Sequence, residues 1–388
     1  MILLKKTLDY IEIDEKIEIP ESDDNELQKE WQQTETVYDD EEELIEVLDN
    51  GEDEETLERN AYVDSSTKFE YTLSGNEAVI TGYSGSSSVI TIPTSVSGYK
   101  VTGIESYAFE NSNMTTLTIP STITSIGYRA FYNCQKLSSI YFNAANCSNC
   151  GSSGTFYNAG QSAPSLTVTF GNGVKRIPAN LFYVSSFTNY AKVTSVVMSN
   201  TIQEIGNGAF EYCCSIHKVT WSTAVVTIGE YAFSECLSLT SVTIPAATTS
   251  IGYRAFYDCE KLSSIYFNAI NCKNCGFGGT FYNAGQSASS LAVTFGNGVK
   301  RVPANLFYVS TDYNYGDNPY AHITSVVLSN TIQEVGNSAF SNCYDVKNIS
   351  WGTGIVTIGD YAFSNCIYLS SVTIPSVTKT IGYHAFYD

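Results

Sequence analysis

The sequence has few basic residues, no long apolar run and a very short apolar start. It contains 20 Lys and Arg against 40 Asp and Glu, a formal net charge of −20. Because phosphate backbones and anionic lipids repel such a chain, we expect it to bind neither nucleic acid nor membrane. No run approaches the ~20 apolar residues of a membrane-spanning helix, so no membrane insertion is expected. The run Met1 to Leu4 is too short for a secretory signal, which predicts a cytoplasmic protein or a leaderless form or fragment of an exported one.

Signatures of catalysis are also missing. The three histidines, His217, His322 and His384, are scattered along the chain. There is no phosphate-binding glycine loop with a lysine, no HExxH and no G-x-S-x-G motif. The sequence therefore predicts a protein that is not an enzyme and that uses no cofactor and no metal.

The acidic residues are concentrated at the N-terminus. Residues 1–64 hold 24 acidic and five basic residues, which leaves 16 acidic and 15 basic residues for the rest of the chain. Low hydrophobicity and high net charge leave little to offset the entropy of ordering a segment. We predict that residues 1–64 form an acidic segment, partly disordered or folded as a small helical or hairpin module. A docking module is the alternative.

What the sequence does contain is a repeat. Residues 126–151 recur almost letter for letter at residues 251–276, an offset of 125 residues. A shorter period lies inside this one and is marked by a recurring phenylalanine, here called the landmark phenylalanine. The landmark phenylalanines are Phe109, Phe131, Phe156, Phe182, Phe210, Phe233, Phe256, Phe281, Phe307, Phe340, Phe363 and Phe386. Such units form stacked repeats, because one unit cannot bury its own apolar face.

Each unit carries a strand phrase with apolar residues at its first, fourth and sixth positions, as in Leu239, Val242 and Ile244. The alternation of positions four and six predicts a short strand with these side chains inward and the residues between them outward. The last such phrase is at residues 369–374. Near the start of the repeats, residues 69–83 alternate on either side of a Ser-Gly-Asn turn and predict a hairpin that covers the edge of the first coil.

The full phrase, Ile-Gly-x-x-Ala-Phe-x-x-Cys-x-x-Leu-x-x-Ile-x-Ile-Pro, closely resembles the BspA-like leucine-rich repeat over about residues 66–388. The resemblance implies a leucine-rich repeat solenoid of the α/β-type repeat class, with short parallel strands, irregular convex turns and about twelve coils. The chain then divides into the acidic segment 1–64, a hairpin cap at 65–100 and repeats at 101–388, which stop inside a phrase and predict a truncated C-terminus. The resemblance also implies a cell-surface or secreted protein.

The cysteines follow the repeat. Six of them come three residues after a landmark phenylalanine, a placement that predicts a structural ladder of small buried side chains. These are Cys134, Cys213, Cys236, Cys259, Cys343 and Cys366. Four others form two CxxC pairs, at 147–150 and 272–275. The pairs lie five coils apart, roughly 24 Å at ~4.8 Å per coil, which is too far for one shared zinc site.

Candidate contact residues are those that escape the repeat or expose an aromatic ring. Tyr141 and Tyr266 lie at outward strand positions among residues with hydroxyl groups, and exposed aromatic residues are common at interfaces. The segment 309–325 is five residues longer than its counterpart at 184–195, and insertions in stacked repeats lie in loops on one face. Its predicted contact residues are Asp312, Tyr313, Tyr315, Asp317, Tyr320 and His322.

The sequence therefore predicts a non-catalytic repeat protein that binds a protein or a glycan, in adhesion or interaction with a host or other cells. Two alternatives remain open. One is a redox or metal-binding protein that uses the CxxC pairs. The other is a structural array that associates with itself.

Overall fold

The computed structural model describes residues 61–147, 154–184, 190–272, 279–308 and 320–387, and these residues form strands and turns but no helix. The predicted acidic segment lies outside the described residues, apart from its last four. The leucine-rich repeat architecture is confirmed, because short parallel strands recur throughout the described chain.

The described residues form 25 short strands. In chain order they are β1 (Tyr62–Val63), β2 (Phe69–Ser74), β3 (Glu77–Tyr83), β4 (Val89–Thr91), β5 (Ser95–Val96), β6 (Tyr99–Ile104), β7 (Thr116–Ile119), β8 (Ser125–Ile126), β9 (Ser139–Phe142), β10 (Leu166–Phe170), β11 (Arg176–Ile177), β12 (Val193–Val197), β13 (Glu204–Ile205), β14 (Lys218–Thr220), β15 (Thr227–Ile228), β16 (Ser241–Ile244), β17 (Ser250–Ile251), β18 (Ser264–Phe267), β19 (Leu291–Phe295), β20 (Arg301–Val302), β21 (Ile323–Val327), β22 (Glu334–Val335), β23 (Asn348–Ser350), β24 (Thr357–Ile358) and β25 (Thr380–Ile381).

The strands β1, β2 and β3 pair antiparallel, and β3 continues into the stack by pairing in parallel with β6. Asp64, the last residue of the predicted acidic segment, holds this region together. Its Oδ1 accepts hydrogen bonds from the backbone and hydroxyl groups of Ser66 and Thr67, and its Oδ2 accepts two from Ser97 at 2.8 and 2.9 Å. These bonds, that of the Ser66 hydroxyl first, hold the pKa of Asp64 well below its usual range.

The longer strands, one from each coil, form two parallel ladders. The first ladder runs from β4 through β7, β9, β10 and β12 to β14, and the second from β16 through β18, β19 and β21 to β23. Apolar residues at positions four and six of the strand phrase are buried on most of these strands, as Leu117 and Ile119 are on β7. On the last strand of each ladder, β14 and β23, they are half-buried, namely Val219, Trp221, Ile349 and Trp351. The residues between them face outward, which confirms the alternation predicted from the sequence.

Eight strands of only two residues form a second kind of parallel ladder, which the sequence analysis did not expect. They pair in the orders β11-β13-β15-β17 and β20-β22-β24-β25. Most of them end at the isoleucine or valine before a glycine, as β17 does before Gly252. Irregular turns were predicted here, because one inward apolar residue per coil is too weak a pattern to indicate a strand.

One boundary between coils interrupts the longer ladder but not the short one. The longer strands β14 and β16 do not pair, but the short strands β15 and β17 pair across the same boundary. The interruption in the longer ladder is therefore bridged by the short ladder.

The landmark phenylalanines form one continuous column through the core. Successive rings have centroid separations of 4.8–5.6 Å and interplanar angles of at most 30°. All of them are buried except Phe386, which is half-buried. Stacked aromatic pairs contribute about 0.5–1.5 kcal/mol beyond their buried area. The column shows that the sequence repeat is a repeat of structure.

The last strand phrase departs from the prediction. Leu369, Val372 and Ile374 form no strand, and all three are only half-buried. The equivalent phrase 130 residues earlier contains β16, which pairs with β18 but not with β14. A strand at this position therefore depends on the coil that follows it. The prediction at residues 369–374 is wrong because no following coil lies within the described residues.

Side-chain amides form a ladder of their own two residues after several landmark phenylalanines. Asn133 Nδ2 donates to Asn111 Oδ1, and Asn158 Nδ2 donates to Asn133 Oδ1, each at 2.6 Å. The three residues have φ values of 55–57°. Asparagine tolerates this left-handed conformation better than most residues, which explains its recurrence at a tight turn.

In the second copy this ladder contains two carboxyl groups. Glu235 and Asp258 are hydrogen-bonded neighbours, and Asn283 Nδ2 donates to Asp258 Oδ1. Burial, and then the charge of Asp258, raises the pKa of Glu235 to about 8. Burial also raises the pKa of Asp258. Two acceptors side by side need a proton between them, so we infer that the pair holds one at neutral pH.

We expect the stability of the protein to fall as the pH rises from about 4.5 to about 8, because folded Glu235 keeps a proton that the unfolded chain releases above its ordinary pKa of 4.5. Asp258→Asn introduces the residue that the first copy has at Asn133 and supplies the missing donor. It should raise the free energy of unfolding at about pH 8 by about 1 kcal/mol, after allowance for solvent screening, and change it little below about pH 4.5. Urea unfolding at both pH values measures this.

The reverse variant is the control. Asn133→Asp places a single carboxylate between the side-chain amides of Asn111 and Asn158, which can both donate to it, so we expect no added loss of stability over the same pH interval. A wild-type protein whose urea midpoint stays constant or rises through this interval would contradict the shared proton.

Candidate functional site

Tyr141 and Tyr266 occupy the same position in the two copies of the longer ladder. Their side chains point outward from β9 and β18 and are 47% and 43% exposed. In register, Tyr141 lies between Thr118 and Thr169, and Tyr266 lies between Thr243 and Thr294. The structure thus presents two equivalent surfaces, each with an exposed aromatic ring flanked by threonines.

The outward side chains of the longer strands are here called the strand face. In each copy, the tyrosine and its two threonines form a row across the strands. Beyond the second threonine the row continues with a valine and a hydroxyl residue, which are Val197 and Thr220 in the first copy and Val327 and Ser350 in the second. A second row lies two residues earlier on each strand. It consists of Thr116, Ser139, Thr167, Ser195 and Lys218 in the first copy and Ser241, Ser264, Ala292, Ser325 and Asn348 in the second. Lysine is the one charged residue among these, so the strand face offers hydroxyl groups and two aromatic rings with almost no charge.

Glycines keep room beside the strand face. A Cβ atom at Gly296 would lie 2.9 Å from the hydroxyl of Tyr266 and would clash with Asn268 Oδ1. A Cβ atom at Gly171 would clash with the equivalent Asn143 Oδ1. These two glycines therefore let polar side chains lie close to the backbone of the next coil.

Two residues of the predicted insertion, Tyr320 and His322, meet two residues of the next coil, Tyr344 and Asp345. His322 Nδ1 lies 2.7 Å from Asp345 Oδ2, and the rings of Tyr320 and Tyr344 meet edge to face at 4.7 Å. Burial, and then the charge of Asp345, raises the pKa of Tyr320. The four residues are here called the rim cluster. The other predicted contact residues of the insertion, Asp312, Tyr313, Tyr315 and Asp317, lie outside the described residues.

The rim cluster belongs to the second copy alone. The first copy has Lys192 and Ser215 where the second has His322 and Asp345, and Lys192 Nζ donates to the carbonyl of Ala163 at 3.0 Å. Sequence reasoning missed Tyr344 and Asp345. The signal was available, because His322 and Asp345 each directly precede the first position of a strand phrase in adjacent coils.

The six regularly placed cysteines are all buried, and five donate their Sγ–H to the carbonyl of the landmark phenylalanine one coil earlier, at 3.2–3.9 Å. Burial raises the pKa of Cys134 to about 12 and also raises the pKa of Cys213 and Cys236. Thiols in such an environment stay protonated, and reactivity requires the thiolate.

The CxxC pairs are described only at their first members. Cys147 and Cys272 are buried, and Cys150 and Cys275 lie outside the described residues. In the described part of the chain, no group of three or more His, Cys, Asp and Glu residues could hold a metal ion.

Comparison with protein families agrees with this repeat geometry. The family model for the BspA type leucine rich repeat region matches in six copies, over residues 83–188, 183–314 and 318–388. The chain belongs to the BspA-type leucine-rich repeat family. The matched residues include both copies of the strand face, the rim cluster and the phenylalanine column of this BspA-type protein. Among curated proteins, none matches the chain.

Among the solved structures that resemble this BspA-type chain are the following three. One is a leucine-rich cell surface protein from Faecalibacterium prausnitzii, with 25% identity, 84% of this chain and 86% of that chain covered, and a TM-score of 0.35. Another is a leucine-rich repeat protein from Bacteroides ovatus, with 19% identity, 82% and 90% coverage and a TM-score of 0.46. The third is the pneumococcal vaccine antigen PcpA, with 16% identity, 84% and 78% coverage and a TM-score of 0.38.

No helix long and apolar enough to span a membrane occurs among the described residues.

Proposed function

We propose that this BspA-type protein is a non-catalytic adhesion protein, exposed at a cell surface, that binds a protein or glycan through its strand face. The observation that carries the proposal is the exposed tyrosine at the same register position of both copies, Tyr141 and Tyr266. A ring at this position does not fill the core, and it leaves apolar surface in water. Aromatic side chains presented in this way are common in binding surfaces.

The chemistry of the strand face favours a neutral partner surface. Threonine and serine hydroxyls donate and accept hydrogen bonds, and a tyrosine ring gives a flat apolar contact with a hydroxyl at its end. With Lys218 as the charged residue of the two copies, long-range electrostatic attraction contributes little. Binding should therefore change little between low and physiological salt.

The rim cluster extends the same surface. His322 directly precedes β21, and Tyr320 lies two residues before His322. Val327 of β21 belongs to the second copy of the strand face. Its tyrosines and its His–Asp pair supply polar and aromatic groups that the first copy lacks. We therefore include the rim cluster in the proposed contact surface, with a role in the choice of partner.

Replacing Tyr141 and Tyr266 with serine should weaken partner binding. We expect a loss of about tenfold for each single variant and a larger loss for the double variant, because truncating a central aromatic contact costs more than 1 kcal/mol at many interfaces. The assay is surface binding of the purified chain to immobilised matrix glycoproteins and defined glycans, at low and physiological salt. Tyr99→Ser is the control, because Tyr99 is exposed on β6, outside the strand face.

The same assay tests the rim cluster. The double change His322→Lys with Asp345→Ser gives the second copy the residues of the first, and it should alter the relative affinity for different partners. If wild-type protein binds none of the immobilised partners, or if the tyrosine variants bind as well as Tyr99→Ser does, the strand face is not the binding surface.

A further inference from the structure

An arginine on the turn side of the stack sits among three tyrosine rings. The guanidinium carbon of Arg129 lies 4.9 Å from the ring centroid of Tyr128, 5.3 Å from that of Tyr132 and 4.6 Å from that of Tyr157. All four residues are half-buried. These residues are here called the first arginine cage. Its rings hold the guanidinium by cation–π contacts from neighbouring coils.

The second copy repeats the arrangement. The guanidinium carbon of Arg254 lies 5.0 Å from the ring centroid of Tyr253, 4.8 Å from that of Tyr257 and 5.1 Å from that of Tyr282. These residues are here called the second arginine cage. Each of its members follows its counterpart in the first cage by 125 residues.

Both arginines have an unpaired donor. Among the residues that the structure describes, the buried Nε atoms of Arg129 and Arg254 have no hydrogen-bond partner. Neither guanidinium has an ion pair with a described residue, whereas Arg176 and Arg301 each pair with a glutamate at 3.1 and 3.0 Å. Buried donors nearly always have partners. The described residues of the two cages therefore supply no acceptor to these Nε atoms.

The turn itself does not require arginine. Arg129 and Arg254 both have φ of 50°, a conformation that is strained for residues with a side chain. The same position, two residues before the landmark phenylalanine, has positive φ in every other coil and carries glycine, tyrosine, asparagine, serine or histidine there, as at Gly154, Tyr231 and Asn305. The turn therefore accepts many residue types, and the identity of arginine in these two coils is set by something other than the backbone.

Gly154 leaves space beside the first cage. A Cβ atom at Gly154 would contact the Cβ atom of Tyr157 at 3.5 Å and the Cγ atom of Arg129 at 3.7 Å. Tyrosine hydroxyls can also donate hydrogen bonds. A planar cation and nearby hydroxyls are the groups that suit an anion with planar oxygens.

We propose that each arginine cage binds the carboxylate of an acidic sugar. The guanidinium matches a carboxylate with two parallel hydrogen bonds, and the tyrosine hydroxyls match the hydroxyls of the sugar ring. Outside residues 1–64 the chain has 16 acidic and 15 basic residues, so the repeats offer no basic surface for a polyanion, and the ligand is a single acidic sugar on an otherwise neutral glycan. The second cage is the weaker one, because Tyr257 already hydrogen-bonds to Asp258, which places an acidic group beside it.

The test is a titration with sodium glucuronate, followed by tyrosine fluorescence and by ligand-observed NMR. We expect wild-type protein to bind two equivalents at roughly millimolar concentration, as suits one charged sugar. Arg129→Lys and Arg254→Lys should each bind one equivalent, and the double variant should bind at least about tenfold more weakly, because lysine keeps the charge but loses the planar fork. Arg176→Lys, at an arginine already paired with glutamate, should bind as wild type does.

Several results would overturn the proposal. Full binding by the double lysine variant would remove the arginines from the site. Equal binding of methyl glucoside would remove the carboxylate, and equal binding of glutamate would remove the sugar. The cages are separate from the strand face, so the Tyr141→Ser and Tyr266→Ser double variant should bind glucuronate normally. Loss of glucuronate binding in that variant would also contradict the proposal.

Discussion

Replacing Phe256 with alanine is expected to lower the free energy of unfolding by about 3–5 kcal/mol. Phe256 is fully buried and stacks against Phe233 at 5.6 Å and Phe281 at 5.0 Å, almost parallel to both rings. Its removal leaves a cavity between two coils and breaks the phenylalanine column in the middle. Urea unfolding gives the size of the loss.

The position of the loss is as informative as its size. In a stacked repeat each coil contacts only its neighbours, so amide hydrogen exchange should accelerate most in the coils on either side of Phe256. Phe386→Ala is the matched control, because Phe386 is half-buried and has one stacked neighbour in the column, Phe363 at 5.5 Å. We expect it to cost less than half as much. Equal losses for the two variants would show that the column does not carry the stability.

Gly127→Ala is expected to have the second largest effect, a loss of about 3 kcal/mol. A Cβ atom at Gly127 would lie 2.7 Å from the carbonyl carbon of Glu105 and 2.8 Å from the Cα atom of Ser106, and it would clash with the backbone nitrogen of Ser106. All three atoms are backbone atoms of the preceding coil. The added methyl group must therefore push two coils apart, at a point where Gly127 N–H donates to the carbonyl of Ile104 at 2.7 Å.

Gly173→Ala is the control for this variant. A Cβ atom at Gly173 would meet only the Cβ atom of Ala145, at an ordinary contact distance of 3.8 Å. We expect its unfolding free energy to stay within about 0.5 kcal/mol of wild type. Thermal and urea unfolding of both variants make the comparison. A Gly127→Ala protein as stable as Gly173→Ala would mean that the coils separate without cost at that contact.

The sequence predicts well which side chains face the core. Residues such as Leu117 and Ile119 recur in alternation because every coil must fill the same core, and the landmark phenylalanines recur for the same reason. The two-residue strands, such as β17, were not predicted, because each has one inward apolar residue and one residue cannot show the alternation that indicates a strand. The missing strand at residues 369–374 escapes it because strand formation there depends on a neighbouring coil, which local pattern does not report.

The candidate sites are less predictable than the core. Tyr141 and Tyr266 could be placed outward from alternation alone, and the structure finds them exposed. The pairing of His322 with Asp345 depends on the register between two coils. Each residue directly precedes the first position of a strand phrase, so aligning the two phrases places the residues side by side. The residues of the arginine cages are identical in the two copies. Whether the Nε donor of each arginine meets an acceptor depends on side-chain packing, which the sequence pattern does not show.

The pairing of β15 with β17 has a consequence for how the stack responds to force. If both kinds of strand stopped pairing at the same boundary, tension along the stack would meet a plane without strand pairing and would open there. Because β15 and β17 pair across the boundary where β14 and β16 do not, strand pairing still joins the two coils on one side of the stack. A protein that holds a cell to a surface under flow would benefit from this arrangement.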